Sequence, residues 1–164
     1  ESIPVHYNSW YDSTLAPGQM EIVQEGTQGK REVEMEEYIS DGKVIRAEAG
    51  HVKILSQGIP GIAKTGDMEG THGYVRNMSA SAYHPTDGDG FGITATGTRA
   101  GHGTVAVDHR VIPLGSSVFI PGYGEAVAAD TGGAIIGDRI DLCMETFEEC
   151  YNFGRRNVEV FVNY

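Results

Sequence analysis

The chain has 164 residues, enough for one ordinary domain or two small ones. Its formal charge of -11 and sequence pI near 4.8 exclude a basic patch that grips phosphate backbones, so no nucleic-acid partner is expected. Hydrophobic residues make up 40%, and 23 glycines accompany short Val/Ile runs, a mixture that points to turn-rich β structure rather than a helical bundle.

Residues 1–19 have no sustained hydrophobic period and contain two prolines, so they read as an arm or linker that docks through Trp10 and Tyr11. Position 1 is Glu and no signal peptide opens the chain, which is expected to be a mature or trimmed fragment. No run approaches the apolar length of a membrane span, so any membrane attachment is expected through a segment outside this chain. Residues 20–74 hold alternating runs at 31–39, 43–49 and 51–55, separated by turn signals, of which Asp41-Gly42 is a good hairpin signal. The many charges there predict a small β module with little core of its own. Its most acidic stretch, VEMEEYISDGK, reads as a solvated face.

From about Val75 lysine disappears and strand-like runs follow at 75–83, 103–108, 117–122, 125–130, 139–144 and 158–164. One helix is predicted to open at Thr146, where Thr146 and Glu149 have capping-box spacing, and to end at Gly154. So many short strands suit a small closed barrel better than a flat sheet, because closure removes the edges. Cys143 and Cys150 are too few for a disulfide framework, and their spacing alone leaves pairing open.

Three aspartates stand in or at the end of apolar runs: Asp108, Asp130 and Asp141. A carboxylate in such a place costs free energy unless it is hydrogen-bonded, paired or put to use. Asp108 and Asp130, at strand ends, suit turn capping as well as chemistry. Asp141 lies inside a run, with Ile140 and Leu142 on the opposite face. If the three converge, like charge and burial raise at least one carboxyl's pKa and make acid/base cleavage of a polar substrate the natural class. A divalent cation would also suit oxygen ligands, but a dedicated calcium loop spaces them closely, and these are far apart. Asp130-Thr131-Gly132 matches an aspartic-protease half-site. That half-site needs its hydrophobic-hydrophobic-Gly element well downstream, and here Ile135-Ile136-Gly137 follows at once.

The segments TATGT, AVDHRVIPLG, VFIPGYG, DTGGAI, RIDL and NFGRRNV resemble the 3D domain, named for three aspartates, and Asp108, Asp130 and Asp141 fall where the family's aspartates fall. Around residues 20–68, Glu25-Gly26, Gly29-Lys30, the Asp41-Gly42 turn and Ala63-Lys64-Thr65-Gly66 resemble a G5 domain. The resemblance implies an all-β chain with one short helix: a G5-like module at 20–74, as glycan attachment or spacer, then a six-stranded double-psi β-barrel at 75–164, its aspartates meeting in one groove. It is similar in its aspartate-bearing core to the MltA type of lytic transglycosylase. The implied reaction cleaves the β-1,4 bond between N-acetylmuramic acid and N-acetylglucosamine, forming a 1,6-anhydro product without metal or cofactor. The implied partner is the glycan strand of peptidoglycan, outside the cell in a Gram-positive-type wall.

On that resemblance Asp141 is expected as the acid/base, Asp130 as the group that raises its pKa or orients the sugar, and Asp108 as support. Tyr83 is expected to stack on a sugar, Thr94 and Thr96 to offer hydroxyls, and Gly132 and Gly133 to let the backbone approach the glycan as only glycine permits. Two residues depart from the family's usual pattern: Ile136, where many relatives carry lysine, and His109, where proline is common. The rival reading is a barrel that binds wall polysaccharide and does no chemistry.

Overall fold

The computed structural model describes residues 1–163 and is all-β apart from one short helix. Six strands close on themselves: β7 (Tyr74–Tyr83), β8 (Thr104–Val107), β9 (Ser117–Ile120), β10 (Gly124–Asp130), β11 (Arg139–Cys143) and β12 (Arg156–Asn163). Around the ring β7 pairs with β11, β11 with β8, β8 with β10, β10 with β9, β9 with β12, and β12 returns to β7. The β7–β11 and β8–β10 pairings are parallel and the other four antiparallel. This is the closed barrel expected from the many short strands, with the six strands that the family resemblance implies. The final residue of the expected 158–164 strand, Tyr164, lies outside the described residues.

Period-two alternation fills the barrel. Val105, Val107, Ile120, Ile140, Leu142, Val160 and Val162 point inward and are fully buried, as β-branched and leucine side chains on one face of a strand should be. The helix α1 (Phe147–Phe153) begins and ends as predicted. The Thr146 side chain accepts from the Glu149 N–H at 3.1 Å, and Gly154, at φ 62°, donates its N–H to the Cys150 carbonyl. Cys143 is buried, Cys150 partly so, and both are free thiols.

The first part of the chain divides into two pieces. β1 (Ser2–Ile3), β4 (Gly29–Ser40) and β5 (Lys43–Ser56) form a three-stranded sheet dominated by the long β4–β5 ribbon. At its tip Asp41 and Gly42 both have positive φ, 50° and 73°, the conformation a two-residue hairpin turn requires. β2 (Tyr7–Tyr11), β6 (Gly61–Thr65) and β3 (Met20–Gln24) extend the barrel sheet beyond β7. Within residues 1–19, expected as a docking arm or linker, β1 pairs with β4, β2 runs parallel to β6, and Tyr11 reaches Tyr74 on β7. Alternation over so short a stretch is too slight to show in the sequence.

Trp10 docks as expected, edge-on to Phe161 with ring centroids 5.7 Å apart. Beside it the buried Lys64 ammonium bridges to Glu159 on β12 at 2.8 Å and to Glu21 on β3 at 3.2 Å, tying the two modules together. The linker passes so close to β12 that a Cβ at Gly73 would lie 1.9 Å from the Val162 carbonyl oxygen, so only glycine fits there.

Candidate active site

The outer face of the barrel carries one row of residues across four strands. Register sets Asp130 of β10 and Asp141 of β11 on either side of Ala106 of β8, with Ser81 of β7 beyond Asp141. Simple alternation would not do this. Ala126 and Ala128 face the barrel interior, and a strict period of two would send Asp130 inward with them. A β-bulge between Ala128 and Asp130 sets two residues of β10 against one of β8 and turns Asp130 to the outer face. Strands lie about 4.8 Å apart, so the two aspartates stand roughly 10 Å apart at Cα, and the small Ala106 between them leaves a cleft. That cleft measures about 170 Å3 and is lined by Tyr83, Asp87, Asp130, Gly132, Ile135 and Asp141 among others.

Each carboxylate is held differently. Asp130 accepts from the Tyr83 hydroxyl at 3.1 Å and from the backbone N–H groups of Ala95 and Thr131, both at 2.9 Å. Asp141 accepts from the Ser81 hydroxyl at 2.9 Å. Burial pushes the Asp141 carboxyl above its ordinary value; Ser81 and Arg139 oppose that shift, while Asp87 and Asp130 add to it. Burial, followed by the Asp130 charge, pushes the Tyr83 phenol far above its ordinary range, so Tyr83 is a neutral donor at any working pH.

Asp108 does not join them. It is 5% exposed and lines an adjoining cavity of about 280 Å3 that shares Thr131, Gly132 and Ile135 with the cleft. Arg110 grips it with two side-chain bonds, at 2.9 and 2.8 Å, and the N–H groups of Arg110 and Gly137 donate at 3.1 and 2.9 Å. The Arg110 bonds, with those backbone donors, hold its carboxyl well below the usual carboxylate range. Where three aspartates were expected in one groove, Asp130 and Asp141 border the cleft together with Asp87, and Asp108 borders the adjoining cavity and ties the 108–110 turn to Gly137. Ile136 lines the Asp108 cavity and is absent from the lining of the Asp130–Asp141 cleft.

Other expected residues also divide. Tyr83 is in the cleft, engaged with Asp130 through its hydroxyl. Thr94 is buried and bonds the hydroxyls of Thr96 and Thr98 at 3.1 and 2.7 Å, which locks the loop that aims the Ala95 N–H at Asp130. Thr96 lines a different cavity, beside Val127 and Ala129. Gly132 borders both the cleft and the Asp108 cavity, and Gly133 the Asp108 cavity. A Cβ at Gly133 would meet nothing within 4 Å, and one at Gly132 would meet the Ile135 side chain at 3.0 Å; neither residue has positive φ. The turn thus does not use glycine's backbone freedom, and what the pair provides is an approach free of side chains. Burial pushes the Cys143 thiol up to about 11, which makes it a poor nucleophile. Among the described residues no group of three or more His, Cys, Asp or Glu side chains is placed to hold a metal ion.

Sequence reasoning missed Ser81, Asp87 and Ala106. Ser81 and Ala106 are ordinary strand residues whose roles exist only through cross-strand register. Asp87 sits in the polar loop HPTDGDG, residues 84–90, where an aspartate draws no notice.

Comparison with known proteins gives matching results in both halves of the chain. Residues 103–163 match the family model of the 3D domain, and residues 1–68 match that of the G5 domain. The G5 match begins at residue 1 and so takes in β1 and β2. The chain is 46% identical over 89 residues to the cell wall-binding protein YocH of Bacillus subtilis (strain 168), covering 52% of this chain and 31% of that protein. It is 40% identical over 92 residues to YabE of the same organism, whose name assigns it provisionally to cell wall shaping, covering 54% of this chain and 23% of that one. The chain therefore spans less than a third of these relatives. Among solved structures it is similar to MltA from E. coli, with 23% identity and a TM-score of 0.38 over 44% of this chain and 27% of that one, a likeness too low to carry an argument.

Proposed function

The chain carries a G5 domain followed by a 3D domain, and from that premise we propose that its barrel is a peptidoglycan lytic transglycosylase that works in the wall, outside the cell. The observation that carries this is the pairing across Ala106: one carboxyl, Asp141, made easier to protonate by burial, faces another, Asp130, whose oxygens already accept three hydrogen bonds. Ordinary glycosidases divide acid and base between two carboxyl groups. Here a single residue does both. Protonated Asp141 donates to the glycosidic oxygen as the bond to C1 of the muramic sugar breaks. The Asp141 carboxylate then removes the proton from that sugar's C6 hydroxyl, whose oxygen attacks C1 and closes the 1,6-anhydro ring. The proton balance closes and no water is consumed.

Asp130, fixed by Tyr83, Ala95 and Thr131, faces the developing positive charge on the sugar ring and orients it. Asp87 adds negative charge that favours the protonated form of Asp141. Asp108 keeps the turn that carries Gly132 and Gly133 in place. The competing reading is a wall-binding module without chemistry, and the name of YocH, a cell wall-binding protein, favours it. Incubation with purified peptidoglycan separates the two. A lytic transglycosylase lowers turbidity with no gain in reducing ends, a hydrolase gives both, and a pure binder sediments with the wall and releases nothing.

A further inference from the structure

A cavity of about 440 Å3 lies at the seam between the two modules, on the far side of β10 from the Asp141 cleft. Its floor is the outer face of β9, β10 and β12, where register sets Glu125 beside Phe119 and Val127 beside Ser117, with Asn163 next in the second row. Its wall comes from elsewhere: Trp10 and Asn8 of β2, and His72 of the linker, which lies 5.9 Å from Trp10 between ring centroids. Neither module makes this cavity alone.

The lining selects a chemistry. Trp10, His72 and Phe119 supply aromatic surface, Asn8 and Asn163 neutral amides, and Glu125 one carboxylate; among the described residues no lysine or arginine borders the cavity. An anionic ligand would face the Glu125 carboxylate with no lysine or arginine beside it, and a wholly apolar one would leave two amides and a carboxylate without partners. A ring with an apolar face and hydroxyl or amide edges satisfies both kinds of surface.

Position points the same way. A further cavity, bordered by Thr96, Thr98 and Thr104, shares Gly103 and Val127 with the seam cavity. It also touches Ala129, whose carbonyl accepts the Thr96 N–H one residue before Asp130. Two hollows with polar edges thus adjoin along β10, from Ala129, the neighbour of Asp130, to the seam. At about 3.3 Å per residue, Asp130 and Glu125 stand roughly 16 Å apart, a distance that suits a polymer rather than a single sugar.

We propose that the seam cavity is a remote saccharide subsite, in which the G5 module supplies one wall for the same glycan strand that lies over Asp141. This rests on the glycan reading of the cleft. In it the G5 module is neither a passive spacer nor an independent anchor: it lengthens the barrel's own groove.

The test uses the full chain in an Asp141→Asn background, so that the strand stays intact, and titrates it with peptidoglycan glycan strands freed of their stem peptides. Asn163 and Glu125 are exposed and take no part in the Lys64 or Trp10 contacts that join the modules. The double variant Asn163→Ala/Glu125→Ala should keep the parent's melting temperature and bind the strand roughly tenfold more weakly. Equal affinity of parent and double variant overturns the seam subsite and leaves the glycan reading of the cleft standing. Failure of the parent to bind any strand overturns both together.

Discussion

The barrel and the β4–β5 ribbon are both built from alternating strands, yet the same pattern has opposite outcomes in the two places. In the barrel each strand has a partner on both sides, and the inward residues of all six meet in one core. In the ribbon, strands of 12 and 14 residues pair mainly with each other, and Ile39, Ile45 and Leu55 remain 64%, 68% and 56% exposed. Among the described residues the ribbon has no second layer to bury against, so its apolar side chains contribute little and its ladder carries it. A site that must hold two carboxylates in fixed relation belongs on the first kind of frame, and that is where Asp130 and Asp141 stand. The ribbon is the part expected to open locally while the barrel stays folded.

A pair of identical substitutions marks the two ends of this contrast. Leu142→Ala, in the barrel core, should destabilise by about 2–5 kcal/mol and lower the melting temperature by roughly 5–15 °C, read by far-UV circular dichroism. Leu55→Ala, on the ribbon, should stay within about 0.5 kcal/mol of wild type in the same measurement. If the two costs are alike, the ribbon is packed against something and the contrast fails.

Between those limits lies the joint. Lys64→Met leaves Glu159 and Glu21 without their shared ammonium and should cost about 1–3 kcal/mol. Trp10 is the chain's single tryptophan and sits at that joint, so its fluorescence should change at a lower denaturant concentration than the barrel's circular dichroism. Coincident transitions would mean that the modules unfold as one unit despite the loss.

The smallest effects should come from protons, and with opposite signs at the two kinds of aspartate. Asp108 has a depressed carboxyl pKa, so the unfolded chain binds more protons and the stability it contributes is lost as pH falls below the ordinary carboxyl range. Asp108→Asn should flatten that acid limb. Asp141 has a raised pKa, so the folded chain binds more protons and stability falls as pH climbs above the ordinary carboxyl value. Asp141→Asn should therefore melt higher than wild type at neutral pH, as expected where function strains a fold. Melting curves across pH for both variants check the pair of signs.

Much of the fold was legible because it rests on local chemistry. The Asp41-Gly42 turn, the Thr146 cap, the Gly154 stop and the six alternating runs all announce themselves within a few residues. The site was half legible. Asp141 could be read as an outward carboxylate in a buried strand, since Ile140 and Leu142 flank it. The facing of Asp130 could not, because a bulge between Ala128 and Asp130 leaves no mark in composition, and alternation alone predicts the wrong face. Asp108 could be read as a strand-end residue suited to turn capping, but its Arg110 partner, only two residues on, could not be read from the sequence. Ser81 and Ala106 gain their roles only through strand pairing, which a single sequence does not display.

The central claim, that Asp141 donates and then recovers the proton that breaks the glycan strand, is tested most directly by mass spectrometry of the soluble muropeptides. Purified peptidoglycan would be incubated with the wild type and with Asp141→Asn. The account predicts 1,6-anhydro-muropeptides from the wild type and about 10²–10⁴-fold fewer from a variant that is equally folded. Equal release by both proteins, or wall binding by both with no anhydro product from either, would contradict it.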